Sequence, residues 1–330
     1  MRLRSVTRDD LAVRRVRRGR GYAYLDAAGR PWPRGELRER ALHLGIPPAW
    51  AEVRVAAEPN MHIQACGIDA AGRVQYIYHA DWEARRARRK LRHLARLTAA
   101  LPRIRRRVAE DLDAEAGSRT LALAIGVALI DRTAMRIGRE RYLDTSGTRG
   151  AGTLYARDVA VAGDTLSVRF PSKSGKVARY TLTEARLAAA IARVKTIPGR
   201  RLLMYRDAEG TPRAIRTEEM NRYLREIADA RVSAKDFRTL HASAMAAEAL
   251  AKLEPGESAG ARKRQLATVT RTVAAFLHNT PAIARTSYIA PCLFPLFETA
   301  RLGELWASVD GRDGLRAREA RLAAVIEAVA

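Results

Sequence analysis

The feature that most restricts this chain is a single change of hydrophobic period near Asp81. Before it, short runs alternate apolar and polar residues between turn signals: GYAYLDAAGRPW (21–32), AEVRVAAEPN (51–60), HIQACGIDAAGR (62–73) and VQYIYHA (74–80). A period of two is the strand period. The first run carries a turn at Ala27–Gly29 and a return, and Asp69–Gly72 reads as a hairpin loop. In the last strand Gln75, Ile77 and His79 fall on one face, and Val74, Tyr76 and Tyr78 on the other. After Asp81 the spacing turns helical, with Leu91, Leu94, Leu97 and Leu101 on one side. Residues 119–142, 183–196, 217–230, 237–254, 261–277 and 281–289 also suit helices, and 314–330 an amphipathic terminal helix that packs. One stretch breaks this pattern: residues 157–182 alternate again and read as two or three short strands. Their Ser174-Gly175 turn makes a hairpin tip between Lys173 and Lys176. The expected fold class is α+β. A small antiparallel β-sheet domain (1–88), with one or two short helices, precedes a larger, mostly α-helical domain (89–330) with a short β-hairpin insertion. At 330 residues the chain can bury a core in each.

Charge narrows the partners. Lys plus Arg is 60 and Asp plus Glu is 36, a net charge of +24. Such an excess repels itself and points to a polyanion, with nucleic acid first and an anionic membrane surface second. No run of about 18 apolar residues occurs, which excludes a membrane span. The first residues, MRLRSVTRDDL, lack the apolar stretch of a signal peptide. Cys66 and Cys292 are too few and too far apart for a disulfide framework or a zinc cluster. A cytoplasmic, nucleoid-associated protein is expected. Residues 81–110 hold eleven basic and three acidic side chains, a run expected to touch phosphate. Only seven of the basic residues are lysines, and two of the seven share one short turn. Of the two residue types, lysine alone can give up a proton near neutral pH.

Several chemistries lack their residues. There is no GxxxxGK[ST] for nucleotide binding, no GxGxxG after a strand and no GxSxG. No close carboxylate pair lies in an apolar context to ligate two metals. No metal, nucleotide or other cofactor is expected. A basic protein acting on DNA would then need a nucleophile, cations for the non-bridging oxygens and an acid for the leaving oxygen. Four segments can supply them: DRTAMRIGRERY (131–142), with Arg136 at a Gly-marked helix end; RFPSKSGK (169–176); SAKDFRTLHAS (233–243), where Arg238 opens a helix; and FLHNTPAIARTSYIAP (276–291), where Tyr288 follows a turn and short helix. Taken singly, each has a plain structural meaning: a surface charge, a soluble turn, or an N-cap ahead of Pro281.

The order Arg, Lys, Arg, Asn or His, Tyr resembles the type IB DNA topoisomerases of the compact bacterial and poxvirus type. RIGRERY, FPSKSGK, KDFRTLHAS and NTPAIARTSY match that family in order and spacing. In the first domain IPPAW (46–50) and PNMHIQACGIDAAGRVQYIYHADW (59–82) look like it, as does ALPRIR (100–105) further on. The resemblance implies that family's fold, a sheet domain plus the helical catalytic domain shared with tyrosine recombinases. It also implies ATP- and metal-free relaxation of supercoiled double-stranded DNA by a monomer. By resemblance Tyr288 is the nucleophile that forms a 3′-phosphotyrosyl link, and Arg136 and Arg238 hold the non-bridging oxygens. Lys173 protonates the leaving 5′ oxygen. Asn279 takes the family's fifth position, often His, with His278 one residue before it. Gln75, Tyr76 and Tyr78 match the strand laid in the major groove, Tyr142 a phosphate contact, and Lys176 a further DNA contact.

Two other readings remain. A tyrosine recombinase shares the catalytic domain, but those enzymes usually carry His-x-x-Arg where this chain has Lys235-Asp236-Phe237-Arg238. A non-enzymatic DNA-binding protein accounts for the charge but not for the ordered set of five.

Overall fold

The computed structural model describes residues 2–32, 35–309 and 315–329. They divide into two compact units, Met1–Arg89 and Lys90–Ala330. Among the described residues no helix is long and apolar enough to cross a membrane.

The first unit is built on five antiparallel strands: β1 (Val13–Arg18), β2 (Gly21–Leu25), β3 (Ala51–Val55), β4 (Ile63–Ile68) and β5 (Val74–Tyr78). Their order is β2-β1-β3-β4-β5, so β5 is an edge. A short helix, α1 (Glu36–His43), links β2 and β3. Alternation sorts the side chains as period two requires. Ile77 packs against one cluster with Val53, Val55 and Ala65, and Tyr78 against another with Met61, Ile63 and Cys66. One expectation changes here. The return after Ala27–Gly29 is a lone bridge, Pro31 to Leu25, and the real partner of β2 is β1, whose Arg-Arg pairs (VRRVRR) break the apolar alternation.

A helix, α2 (Ala80–Asp111), opens with Asp81 and Glu83 in its first turn, where carboxylates suit the positive helix end. His79 Nδ1 accepts the Asp81 N–H there at 3.0 Å. Within the second unit α2 buries Leu94, Leu97, Leu101, Ile104 and Val108, and most of the helices downstream pack on the same core. At its centre lies α3 (Arg119–Thr133), capped by the Ser118 hydroxyl. Leu121 through Asp131 are all buried, as befits a helix apolar on every side.

The helix expected over 119–142 is in fact two. α3 stops at Ala134, which adopts a left-handed conformation (φ 53°), and α4 (Glu140–Ser146) starts six residues later. The three-stranded insertion follows: β6 (Val159–Ala162), β7 (Thr165–Pro171) and β8 (Val177–Thr183), ordered β6-β7-β8. Then come α5 (Ala185–Val194), a small hairpin of β9 (Met204–Arg206) and β10 (Pro212–Ala214), α6 (Thr217–Ala228), α7 (Ala234–Ala251) and α8 (Ala259–Phe276). One turn of α9 (Pro281–Ile283) runs into a π-helical stretch, Ala284–Tyr288. The chain closes with α10 (Leu293–Glu298), α11 (Arg301–Ala307) and α12 (Leu315–Glu327).

Candidate active site

The break between α3 and α4 places Arg136 in an extended segment rather than at a helix end. Two glycines make this possible. Gly138 has φ 81°, and a Cβ there would lie 2.3 Å from Thr153 Oγ1. A Cβ on Gly150 would lie 2.3 Å from the Arg136 carbonyl oxygen. The two backbones therefore touch, and the contact is sealed by hydrogen bonds from Ala151 N to Arg136 O (2.8 Å) and Gly152 N to Ile137 O (2.7 Å). Only glycine permits that approach.

Arg136 is thus presented from a rigid backbone. Its Nη2 donates to Asn279 Oδ1 at 2.6 Å and to the His278 carbonyl at 3.2 Å, and its Nη1 to Ser172 Oγ at 3.4 Å. The bond to Oδ1 orients the amide of Asn279. Its Nδ2 is left as a buried donor with no partner among the described residues. Buried donors are almost always satisfied, so an orphan at a functional cleft marks a place for an acceptor.

Arg238 lies five residues into α7, not at its first position, and is 3% exposed. Its guanidinium donates to the Ala134 carbonyl and, at 3.0 Å, to that of Leu277. It stands 4.9 Å from the centroid of the Tyr288 ring. The two arginines are held by main-chain oxygens and an amide, not by carboxylates, so their charge is not neutralised locally. Burial pushes the pKa of Arg136 down, and the nearby Arg238 charge adds to this.

Tyr288 ends the π-helical turn and is half-buried against the core. Its backbone is pinned from two sides. The Ser243 hydroxyl donates to the Tyr288 carbonyl at 3.2 Å and accepts from Ala290 N at 2.9 Å. The Lys90 ammonium donates to the carbonyls of Thr286 (2.6 Å) and Ile289 (3.2 Å). Burial works to raise the phenol's pKa. The charges of Arg238, Arg136 and Lys235 outweigh it, and the net shift is downward.

Lys173 sits at the tip of the β7–β8 hairpin, exposed, in a turn closed by Ser172 N to Lys176 O at 2.6 Å. One cleft of about 620 Å³ is lined by Lys173, Arg136, Arg238, Tyr288, Tyr142, Arg139, Arg149 and Lys235, among others. No carboxylate is among its described lining residues. Asn279 joins through its bond to Arg136. Lys176 does not line the cleft but lies near His278, whose pKa is lowered by burial and by Arg136, Arg238 and Lys176. His278 (φ 50°) turns its ring onto Tyr180 at 5.9 Å and offers its carbonyl to Arg136.

Tyr142, on α4, is 45% exposed, and its hydroxyl accepts from Arg141 at 2.8 Å. In the first unit Tyr76 and Tyr78 stack at 5.9 Å on one face of β5, with Arg86 over Tyr78. Gln75, on the other face, donates to Asp69 at 2.8 Å.

Three residues near the reacting groups carried no role in the sequence reading: Lys235, Lys90 and Ser172. Lys235 was legible as the residue one helical turn before Arg238 on the same face of α7, 5.9 Å from the Tyr288 ring centroid. Lys90 and Ser172 reach their partners across 196 and 36 residues and left no local signal. Among the described residues, Asp131, His241 and Glu319 bring donor atoms within 4.8 Å of one another. Arg105 already occupies that place, bonding Asp131 at 2.8 Å and Glu319 at 2.6 Å.

Comparison with known proteins gives three matches. Residues 79–290 match the family described as eukaryotic DNA topoisomerase I, catalytic core. Residues 21–69 match bacterial DNA topoisomerase IB, N-terminal domain. A DNA topoisomerase 1B of Acanthamoeba polyphaga mimivirus is 26% identical over 267 residues, covering 79% of this chain and 80% of that protein.

Proposed function

Because the chain belongs to the type IB DNA topoisomerase family, and so is a DNA-acting isomerase, we propose that it relaxes supercoiled duplex DNA through a covalent Tyr288 intermediate. The observation that carries this reading is the environment of Tyr288. A phenol of lowered pKa shares one cleft with two carboxylate-free arginines and a hairpin lysine.

The Tyr288 oxygen, its phenolic proton passed to solvent water, attacks a backbone phosphorus. The bond from phosphorus to the 5′ oxygen breaks, and Lys173 gives that oxygen its proton, leaving a 3′-phosphotyrosyl link and a free 5′ hydroxyl. Arg136 and Arg238 hold the non-bridging oxygens as charge develops, and the free Nδ2 of Asn279 donates to one of them. Phosphoryl transfer depends mostly on positioning and electrostatics, which this set supplies without a metal. The link keeps the phosphodiester energy, so resealing needs no ATP. Between the two steps the free end rotates and torsional strain is released. All five groups come from one chain, which supports action as a monomer. The first unit, with Tyr76, Tyr78 and Gln75 on β5, is assigned a grip on the duplex, and Tyr142 and Lys176 flanking contacts.

Tyr288→Phe keeps the ring and its packing but removes the nucleophile. We expect plasmid relaxation in chelator without ATP for the native protein, and normal DNA binding with no protein-linked DNA on denaturing gels for the variant. Linked DNA from Tyr288→Phe would assign the nucleophile elsewhere. Recombined products from the native protein would favour the recombinase reading.

A further inference from the structure

Most of the arginines whose contacts are described here are matched to a carboxylate or to main-chain oxygens. Three guanidiniums converge on one aromatic ring, and two of them have neither kind of partner among the described residues. Arg149, Arg157 and Arg200 lie 4.5, 5.3 and 4.4 Å from the centroid of the Tyr155 ring, which they leave only 9% exposed. Arg149 is the neutralised member, buried and paired with Asp158 at 2.7 Å. Arg157 and Arg200 are exposed and have no carboxylate partner among the described residues.

The frame beneath them is fixed by main-chain bonds. Ala156 N donates to Arg200 O at 3.1 Å, Leu202 N to Leu154 O at 2.8 Å, and Tyr155 bridges Arg201. Asp158 accepts from Tyr155 N at 2.8 Å while holding Arg149. The ring therefore cannot leave, and stacking on it restricts two side chains that would otherwise wander. Two like charges held on one ring without a counterion repel each other, and an anion beside them offsets that repulsion. A planar fork with unused donors is the group best suited to a phosphate. Arg149 both lines the cleft of Tyr288 and touches Tyr155, so the cluster borders the reaction site.

We propose that Arg157 and Arg200, held on Tyr155, form a second binding site for a backbone phosphate of the DNA, separate from the one that is cleaved. The site prepays the ordering of two arginines, and so grips duplex beside the cleft without taking part in bond breaking. It takes DNA as the partner from the proposed function, but its readout is binding rather than cleavage.

The test is the salt dependence of DNA binding, measured on Tyr288→Phe so that no covalent complex forms. Each phosphate neutralised contributes about 0.9 to the slope of log affinity against log salt. Arg157→Gln/Arg200→Gln should lower that slope by about 0.9 or more. The control is Arg186→Gln/Arg213→Gln, which removes two exposed arginines that are paired with Asp113 and Asp207. Its slope should stay unchanged. In the Tyr288-containing protein at saturation, Arg157→Gln/Arg200→Gln should leave the single-turnover cleavage rate as it was. An unchanged slope in the test variant, or an equal fall in the control, would overturn the site. A cleavage rate at saturation that falls with the slope would overturn its separateness from the reaction. Should the native protein form no covalent complex at all, the binding slopes still decide this proposal alone.

Discussion

The floor of the cleft and the hairpin tip above the same space hold their cations in opposite ways. On the floor Arg238 is buried and bonded to two main-chain carbonyls, and Arg136 is bonded to a carbonyl, an amide and a hydroxyl. At the tip Lys173 is exposed, and neither it nor Lys176 has a side-chain hydrogen bond or ion pair among the described residues. A group that stabilises developing charge works best if it is already in place when the charge appears. A group that must hand over a proton needs to be a titratable ammonium rather than a guanidinium. In the proposed mechanism these two tasks fall to the packed core and to the open loop.

The sharpest way to break this contrast is at the tip. Lys173→Ala should slow single-turnover cleavage by about 100- to 10,000-fold, the usual worth of a general acid. Replacing the bridging 5′ oxygen of the substrate with sulfur, which leaves without protonation, should restore the rate. Lys173→Arg should behave the same way, since it keeps the charge but not the proton. Rescue of Lys176→Ala instead would transfer the role to the other lysine of the turn.

On the floor, Arg238→Ala should cost about 100- to 1,000-fold in cleavage while binding barely moves, because the remaining basic residues supply the general attraction. Sulfur substitution should not rescue it. The same variant tests the electrostatics. Burial raises the Tyr288 pKa, and the cations, Arg238 foremost, bring the net shift below the ordinary tyrosine value. Without Arg238 the balance tips back toward burial, so ultraviolet titration of this phenol should move to higher pH. Cleavage limited by the phenolate should then need a more alkaline solution to reach its plateau. An unmoved midpoint would separate Arg238 from the nucleophile.

The smallest effect is expected where the two regions meet a neutral group. Asn279→Ala removes the proposed hydrogen bond from a neutral donor to the anionic phosphate, worth about 10- to 100-fold. It also strips Arg136 of its 2.6 Å partner. Asn279→Asp should be worse than Ala. It keeps an acceptor for Arg136 but turns the free donor into a second acceptor facing the phosphate. Equal rates for the two would mean that Nδ2 does not face the substrate.

Much of this was legible in the sequence, for reasons that can be named. The change of period at Asp81 follows from which faces must be buried, so sheet and helices appear as patterns of two and of three to four. The β7–β8 hairpin shows as alternation around Ser174-Gly175, and Arg136, Lys173, Arg238, Asn279 and Tyr288 stand in short local motifs. β1 was hidden because its sequence, VRRVRR, does not alternate, and the end of α3 because Ala134 carries no breaker signal for its left-handed conformation.

What only the tertiary structure decided are the facts that depend on distant partners. Arg136 meets Asn279 across 143 residues, and that bond alone fixes which end of the amide is free. Lys90 reaches the turn of Tyr288 across 196 residues. The lowered pKa of Tyr288 comes from cations on two other segments, Arg238 and Lys235 on α7 and Arg136 in the extended stretch after α3. Arg157 and Arg200 are two cations among many until Tyr155 brings them together. Periodicity and motifs record what each segment must bury and which groups it carries. Hydrogen-bond direction and charge proximity depend on ångström-scale distances between segments, and those exist only once the core has packed.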